Sequence, residues 1–396
     1  MLVLRKILFL LVLSYTHLGM AQNFVWNKVV GDSGTVECEG VFSSTRKNCT
    51  YLFARSTGLN GDTSKLKIGD TLIKGDQNQN HFLLKLDLEG NLIKSKVLPT
   101  FIESMSVMDD EFGNIYLFLD INFYYYKDSL KIVNDAPYFK INSSVGKLFI
   151  LKLDSNFGFK KYIGLKRPSR EVKKSLYNII DNTLFFTDSK SKVGSVNVNL
   201  DTSTIKYLNW HFPQKSTPYL EYNIASILDF NDSLLLVCTG FLPDTLLGLP
   251  TFMTGNNECL YTLVVSKDFT SAKIDIISDT AYPINMSYFE SFVLNKNNLV
   301  IATNFWDSLN LRNKVVLRTK QSQLEPLLMI FDGNALRRHF FFQESKKDVF
   351  FGTFHNIAFD GSFIYTAGLI DGEITTLNSP SNNANGNFFY SKIDSL

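Results

Sequence analysis

Phe82-Leu-Leu-Lys-Leu-Asp87, Leu148-Phe-Ile-Leu-Lys-Leu-Asp154 and Leu327-Leu-Met-Ile-Phe-Asp332 are versions of one segment, an apolar run that stops at an aspartate. Val196-Asn-Val-Asn-Leu-Asp201, Leu260-Tyr-Thr-Leu-Val-Val-Ser-Lys-Asp268 and Phe388-Phe-Tyr-Ser-Lys-Ile-Asp394 complete a set of six. Successive aspartates stand 67, 47, 67, 64 and 62 residues apart. Self-similarity at this period, carried by strand and turn residues, predicts an all-β fold, a β-propeller.

Working outward from each run, the unit reads as four strands, a to d. A polar turn precedes strand b, as in Asp109-Asp-Glu-Phe-Gly-Asn114 before Ile115-Tyr-Leu-Phe118, and in Phe230-Asn-Asp-Ser233 before Leu234-Leu-Leu-Val237. Asp, Asn and Gly supply the turn because they tolerate left-handed backbone or bond to it. Strand a lies before that turn, strand c is the aspartate-ended run, and strand d follows a second turn such as Gly90-Asn91. Several b and c strands are apolar on both faces, as in Leu234-Leu-Leu-Val237, which fits blades packed face to face. The spacing predicts six four-stranded blades, with the short 154–201 unit the doubtful one. The last unit stops after its c strand, and Phe24-Val-Trp-Asn-Lys-Val-Val30 is strand-like with no a, b or c before it. The expectation is that this N-terminal strand completes the last blade and closes the ring, which also removes an open edge.

Residues 1–21 read as a signal peptide: Arg5 and Lys6, then the apolar stretch Ile7 to Tyr15, then Gly19-Met20-Ala21 as a small-residue cleavage site. The apolar stretch is shorter than the roughly 20 residues a membrane-spanning helix needs. The expected product is one propeller domain, 22–396, exported to a secreted, periplasmic or cell-surface location. Loss of Arg5 and Lys6 takes the formal charge from +2 to about 0. No basic run marks a nucleic-acid groove, so nucleic acid is excluded as an expected partner, and no later segment predicts a membrane span. The four cysteines form two local pairs, and an exported chain favours the disulfides Cys38–Cys49 and Cys238–Cys259, each contributing about 3 kcal/mol. Four free buried thiols are the alternative.

The repeat resembles the secreted bacterial β-propellers built from SBBP-type repeats. The resemblance rests on Gly113-Asn-Ile-Tyr116, on the Lys-Leu-Asp runs at 85–87 and 152–154, and on Glu89-Gly90-Asn91. It covers nearly all of residues 23–396 and implies fold and export, with no activity attached.

Long b–c connections at 55–80, 121–146, 241–257, 304–325 and 369–387 are where a rigid scaffold carries binding residues. Exposed aromatics there, Tyr124, Tyr125, Tyr126, Phe305 and Trp306, are candidate ligand contacts; the alternative is that they pack the loops onto the blades. Four of the connections contain Asp-Ser/Thr-Leu: Asp70-Thr71-Leu72, Asp128-Ser129-Leu130, Asp244-Thr245-Leu246 and Asp307-Ser308-Leu309. One reading is a turn with the leucine tucked inward. The other is an O-glycosylation acceptor at Thr71, Ser129, Thr245 and Ser308.

Catalytic signals are weak. Gly31-Asp32-Ser33-Gly34 reads as a turn, and none of His81, His211, His339 or His355 sits in a nucleophile-activating motif. No catalytic residue, metal ligand or cofactor is expected. The reading is a non-catalytic propeller that binds a protein or polysaccharide through the b–c face, as a monomer or within a surface complex. The alternatives are a propeller hydrolase or lyase acting on an extracellular polymer, and a structural component of a surface assembly.

Overall fold

The computed structural model describes residues 30–394, except 32–34, 45–48, 59–61, 69, 78, 88, 99–101, 122–128, 131–138, 141–147, 166–175, 190–191, 212–222, 252–258, 279–283, 295–297, 306–307, 312–315, 319–324, 333–334, 342, 345–350, 360–362 and 376–381. The predicted signal peptide, the serine of the Gly31–Gly34 string and Phe24 to Val29 of the expected closing strand all lie outside the described residues. No helix among the described residues is long and apolar enough to cross a membrane.

The described residues form antiparallel sheet after antiparallel sheet. Sheet 1 comprises Thr35–Ser44, Cys49–Thr57, Gln79–Leu86 and Leu92–Leu98. Sheet 2 comprises Ile102–Asp109, Ile115–Ile121, Leu148–Leu153 and Phe159–Leu165. Sheet 3 comprises Tyr177–Ile180, Thr183–Ser189, Lys192–Asn197 and Lys206–Tyr207. Sheet 4 comprises Asn223–Phe230, Ser233–Gly240, Cys259–Ser266 and Ala272–Ser278. Sheet 5 comprises Ile284–Leu294, Asn298–Phe305, Glu325–Asp332 and Ala335–Phe341. In each of these five, strands adjacent in sequence are adjacent in the sheet. Sheet 6 holds Phe351–Phe359, Phe363–Thr375 and Asn382–Asp394, and the short strand Gln343–Glu344 pairs with the end of the second of these.

The chain divides into two compact units. One holds the described residues up to 102 with 129–140 and 154–159; the other holds 103–128, 141–153 and 160 onward. In the first, the core of sheet 1 is Leu52, Ala54, Phe82, Leu84 and Leu86. Leu66 and Ile68 of a small hairpin join it. The expected ring closure is corrected in part here. Val30, the last residue of the N-terminal run, pairs with Ile68 of that hairpin, not with the last sheet.

In the second unit the cores lie between successive sheets, and the two-residue period of a strand sorts side chains between them. Leu184 and Phe186 of sheet 3 pack with Tyr116, Phe118, Leu148 and Ile150 of sheet 2. Phe185, between them in sequence, packs on the other side with Leu234, Leu236 and Leu263 of sheet 4. Leu235 and Val237 alternate with those residues and meet Leu299, Ile301, Leu327 and Met329 of sheet 5. This is why the second strands carry apolar residues on both faces: Ile115–Ile121 is buried throughout, Asp120 included. The fourth strand Phe159–Leu165 keeps one partly wet face. A fully buried Phe or Leu side chain stabilises by about 1.5–3 kcal/mol, so the inner strands carry most of the stability.

The 154–201 unit, doubtful by spacing, forms a four-stranded sheet. Its step is short because the second and third strands turn within two residues, Ser189 pairing with Lys192. Its third strand ends at Asn197, so the aspartate at 201 stands in the turn beyond, where it caps the one-turn 3-10 helix Thr202–Thr204.

Asp332 and Asp394 are the last residues of their strands, whereas Asp87 and, in an a–b turn, Asp110 organise turns. Asp87 accepts from the Asn91 backbone N–H at 2.7 Å and from its Nδ2 at 3.0 Å. Asp110 holds Asn114 in the same way at 2.8 and 2.7 Å. Gly90 (φ 76°) and Gly113 (φ 81°) take the left-handed position of those turns, where a Cβ is disfavoured. Phe157 (φ 64°) occupies it in the Asp154–Gly158 turn.

Both predicted disulfides are corrected. Cys49, Cys238 and Cys259 are buried, and none of them is in a disulfide. In sheet 1, Cys49 faces Ser44 while Cys38 faces Ala54. That places the two cysteines about 20 Å apart along the hairpin, far beyond the 4.4–6.8 Å Cα separation typical of a disulfide. In sheet 4, Cys238 faces Tyr261 and Cys259 faces Gly240, so the two are diagonal neighbours. Diagonal Cα atoms stand about 7–8 Å apart, too far to bridge without moving the backbone. Burial pushes the Cys238 thiol up to about 12.

Candidate functional site

The predicted ligand aromatics do not assemble into a described surface. Phe305 is corrected outright: it is fully buried in the core between sheets 4 and 5, with Leu309 and Leu317. Tyr124, Tyr125, Tyr126 and Trp306 lie outside the described residues.

The four Asp-Ser/Thr-Leu segments resolve into a shared local structure. In each, the Ser or Thr begins a short strand of a hairpin inside the b–c connection: Thr71–Lys74, Ser129–Leu130, Thr245–Leu246 and Ser308–Asn310. Leu309 and Leu246 are buried, as the tucked-leucine reading expects, whereas Leu72 is 47% exposed. Thr71 is exposed. The Thr245 hydroxyl is enclosed, so a glycosyl donor has no route to it in the folded chain. The side chains of Ser129 and Ser308 lie outside the described residues.

A concavity of about 700 Å³ lies elsewhere, at the opposite end of the strands, where the short a–b and c–d turns of sheets 2 and 3 meet. Sheet 2 contributes Phe112 and Asn114 from its first turn, Lys152 from the end of its third strand, and Lys160 and Lys161 from the start of its fourth. Sheet 3 contributes Asn182 from its first turn and Asn197, Val198 and Asn199 from its second. Three ammonium groups and four carboxamides thus line it, with no carboxylate among the lining residues.

The floor is a buried polar network. Lys152 is 7% exposed. Its Nζ donates to the Val198 carbonyl at 2.8 Å and to Asn199 Oδ1 at 3.3 Å, and it stands 5.5 Å from the Tyr116 ring centroid. Burial lowers the Lys152 pKa; the Asp110 charge opposes this, and Lys160 and Lys161 add to it. The Tyr116 hydroxyl lies 2.7 Å from the same Val198 carbonyl and 3.0 Å from Asp110 Oδ2, with one proton to donate between them. Burial first, then the Asp110 charge, raises the Tyr116 pKa, so this hydroxyl stays protonated. Asp110 is 2% exposed and is held by Asn114 and Tyr116.

The rim is wetter. Lys160 donates to Asn114 Oδ1 at 3.1 Å. Lys161 is exposed and makes no hydrogen bond or ion pair among the described residues. Phe112, in a turn between polar neighbours, is 68% exposed. Its ring, the three lysines and the carboxamides come from five separate segments, and only the Lys160-Lys161 doublet is adjacent in sequence.

No protein-family model matches the chain, and no curated protein matches it. Among solved structures it is similar to the Cps50 (Swd1) β-propeller domain of Myceliophteria thermophila, at 12% identity and a TM-score of 0.38, covering 89% of this chain and 92% of that one. It is also similar to a mutant apocarotenoid oxygenase of Synechocystis, at 11% identity and a TM-score of 0.28, covering 87% of this chain and 61% of that one. Superpositions this loose leave the fold to rest on the sheets themselves.

Proposed function

We propose that the protein is an exported, non-catalytic β-propeller of six blades that binds a protein or polysaccharide. Six successive four-stranded sheets support the propeller. So do the contacts that run from the first strand of sheet 3 to those of sheets 4, 5 and 6 in turn, as innermost strands around an axis would. The charged start, apolar stretch and small-residue site of residues 1–21 support export.

The observation that carries the binding reading is the lining of the concavity between sheets 2 and 3. Ammonium and carboxamide groups recognise oxygen-rich ligands by charge and hydrogen bonds. Glycosidic hydrolysis uses a pair of carboxyl groups flanking the bond, and the lining supplies none. This reading puts the ligand at the turn end of the strands and not on the b–c loops.

The experiment is a glycan array and an envelope-extract pull-down with the mature chain, each followed by sizing of the retained polymer. Retention without shortening is the expected result. Progressive shortening would make the protein an enzyme, and no retention in either format would end the scaffold reading.

A further inference from the structure

We infer that the concavity between sheets 2 and 3 takes an anionic sugar unit, carrying a carboxylate or sulfate ester, within a polysaccharide chain. This rests on the binding-scaffold reading and narrows it to one site and one ligand chemistry.

Four features of the site converge. First, its positive charge is in excess. One nearby carboxylate, Asp110, is already held by Asn114 and Tyr116. Lys161 makes no hydrogen bond or ion pair among the described residues, although its charge reaches the Asp201 carboxylate, and Lys152 uses two of its three N–H donors on Val198 and Asn199. Three ammonium groups thus outnumber the two carboxylates, Asp110 and Asp201, whose charges reach them, and an entering anion meets net positive charge.

Second, the carboxamides have capacity left. Asn197 Oδ1 accepts from the Asp201 backbone N–H, and Asn199 Oδ1 accepts from Lys152. Their Nδ2 groups, and the whole Asn182 side chain, have no protein partner among the described residues. Sugar hydroxyls both donate and accept, which is the chemistry such groups serve.

Third, Phe112 offers a bare ring at the rim. A flat apolar surface beside polar groups suits the C–H face of a sugar ring better than it suits a free inorganic anion. Fourth, about 700 Å³ falls within the size of small-ligand pockets, about 300–1,000 Å³. An acidic protein segment is the competing occupant, but it does not call for an exposed ring beside unspent carboxamides.

The test is calorimetric titration of the full mature chain with five probes: oligogalacturonate, its methyl ester, sulfated dextran oligosaccharide, neutral dextran oligosaccharide and oligoglutamate. At least one anionic oligosaccharide should bind, and added salt should weaken it. The methyl ester and the neutral dextran should bind at least about tenfold more weakly. Lys160→Gln with Lys161→Gln should lower the anionic affinity at least about tenfold. Phe112→Ala should lower it about three- to tenfold. These side chains are exposed, so thermal melts of the variants should match the parent. Lys273→Gln, an exposed lysine on sheet 4, should leave affinity within about twofold.

Failure of both anionic oligosaccharides to bind would overturn the inference, as would binding that the lysine variants leave unchanged. Tighter binding of oligoglutamate with the same sensitivity would give the site to an acidic protein instead. If the array or extract retains a ligand through contacts indifferent to Lys160 and Lys161, the scaffold reading survives and this site falls. If nothing binds in any format, both fall.

Discussion

Sheet 3 meets sheet 2 on one side and sheet 4 on the other, and at the turn end the two junctions are built from opposite choices. A single two-residue turn serves both. Asp181 (φ 46°) and Asn182 (φ 60°) each take left-handed backbone between the paired residues Ile180 and Thr183, as a tight hairpin of matching twist requires. Asp181 goes to sheet 4, where it accepts from Lys267 Nζ at 2.5 Å; Asp229 adds a longer approach at 3.8 Å. Asn182 lines the cavity shared with sheet 2. At the sheet 3–4 junction a cation meets carboxylates and the seam is satisfied internally. At the sheet 2–3 junction three lysines line the cavity with carboxamides, Asp110 and Asp201 stand near without lining it, and positive charge is in excess. The backbone frame is shared; the choice of Asp or Asn at neighbouring positions decides which seam is closed and which can take a ligand.

The largest expected effect breaks the closed junction from inside. Phe185 is fully buried and packs edge-on to Phe269, ring centroids 6.1 Å apart. Phe185→Ala should cost about 3–5 kcal/mol, the transfer term plus the cavity left behind. Chemical denaturation followed by fluorescence measures it. Because Phe185 faces sheet 4 and its neighbours Leu184 and Phe186 face sheet 2, anion binding by the folded variant should persist. A loss below about 1 kcal/mol would mean the two cores are not separate layers.

A smaller effect is expected at the seam itself. Lys267 has a side chain 22% exposed, while Asp181 is 75% exposed. An ion pair so open to water should contribute under about 1 kcal/mol. A double-mutant cycle of Lys267→Ala with Asp181→Asn measures the coupling, which should shrink with added salt. Asp181→Asn combined with Asp229→Asn makes the sheet 3–4 seam resemble its neighbour more closely, with the lysine facing carboxamides. If that variant gains affinity for an anionic oligosaccharide, the contrast between the junctions is electrostatic. If it gains none, the cavity's shape and the Phe112 ring set the difference.

Much of the scaffold was legible in the sequence because its causes are local. Asp, Asn and Gly in Asp109 to Asn114 and in Asn231-Asp232 bond to backbone or take left-handed φ, and they form the turns that residue chemistry predicts. Inner strands announced themselves by apolar runs without alternation, since each faces two cores. What failed depended on register or on distant segments. The Cys38–Cys49 pairing fails because the strands align Cys38 with Ala54 across a bulge, which no local signal specifies. Phe305 looked like a loop aromatic, yet it is the last residue of a buried strand. The cavity was invisible for the same reason. Lys152 stood in one aspartate-ended run, Asn197 and Asn199 in another, and neither run pointed to the other. Only the docking of two turns makes them one site. Phe112 was the one available hint, an aromatic in a turn where polar residues suffice.

The smallest expected effect concerns two turn aspartates on either side of the closed seam. Asp268 follows Lys267 and is held below the usual carboxylate range, at about 2, first by the Ser266 hydroxyl and then by the side chain and backbone of Thr270. Asp201, in the corresponding turn of sheet 3, is also lowered, by the backbone and hydroxyl of Ser203. Both groups are fully exposed, so the effect is on titration far more than on stability. A carboxylate whose folded pKa is depressed adds stability that is fully present above its unfolded value. That stability fades as pH falls toward the folded value, here from the ordinary carboxylate value of 3.8 down to about 2. Carbon-detected NMR titration should therefore find Asp268 still ionised where ordinary aspartates are already half protonated. Thr270→Ala removes the 2.7 Å bond from the threonine hydroxyl to Asp268 Oδ1 and should move the midpoint back up, while Asp201 stays where it was. A midpoint unchanged by that substitution would assign the shift to the Ser266 hydroxyl and the backbone N–H groups of the turn, which the substitution leaves in place.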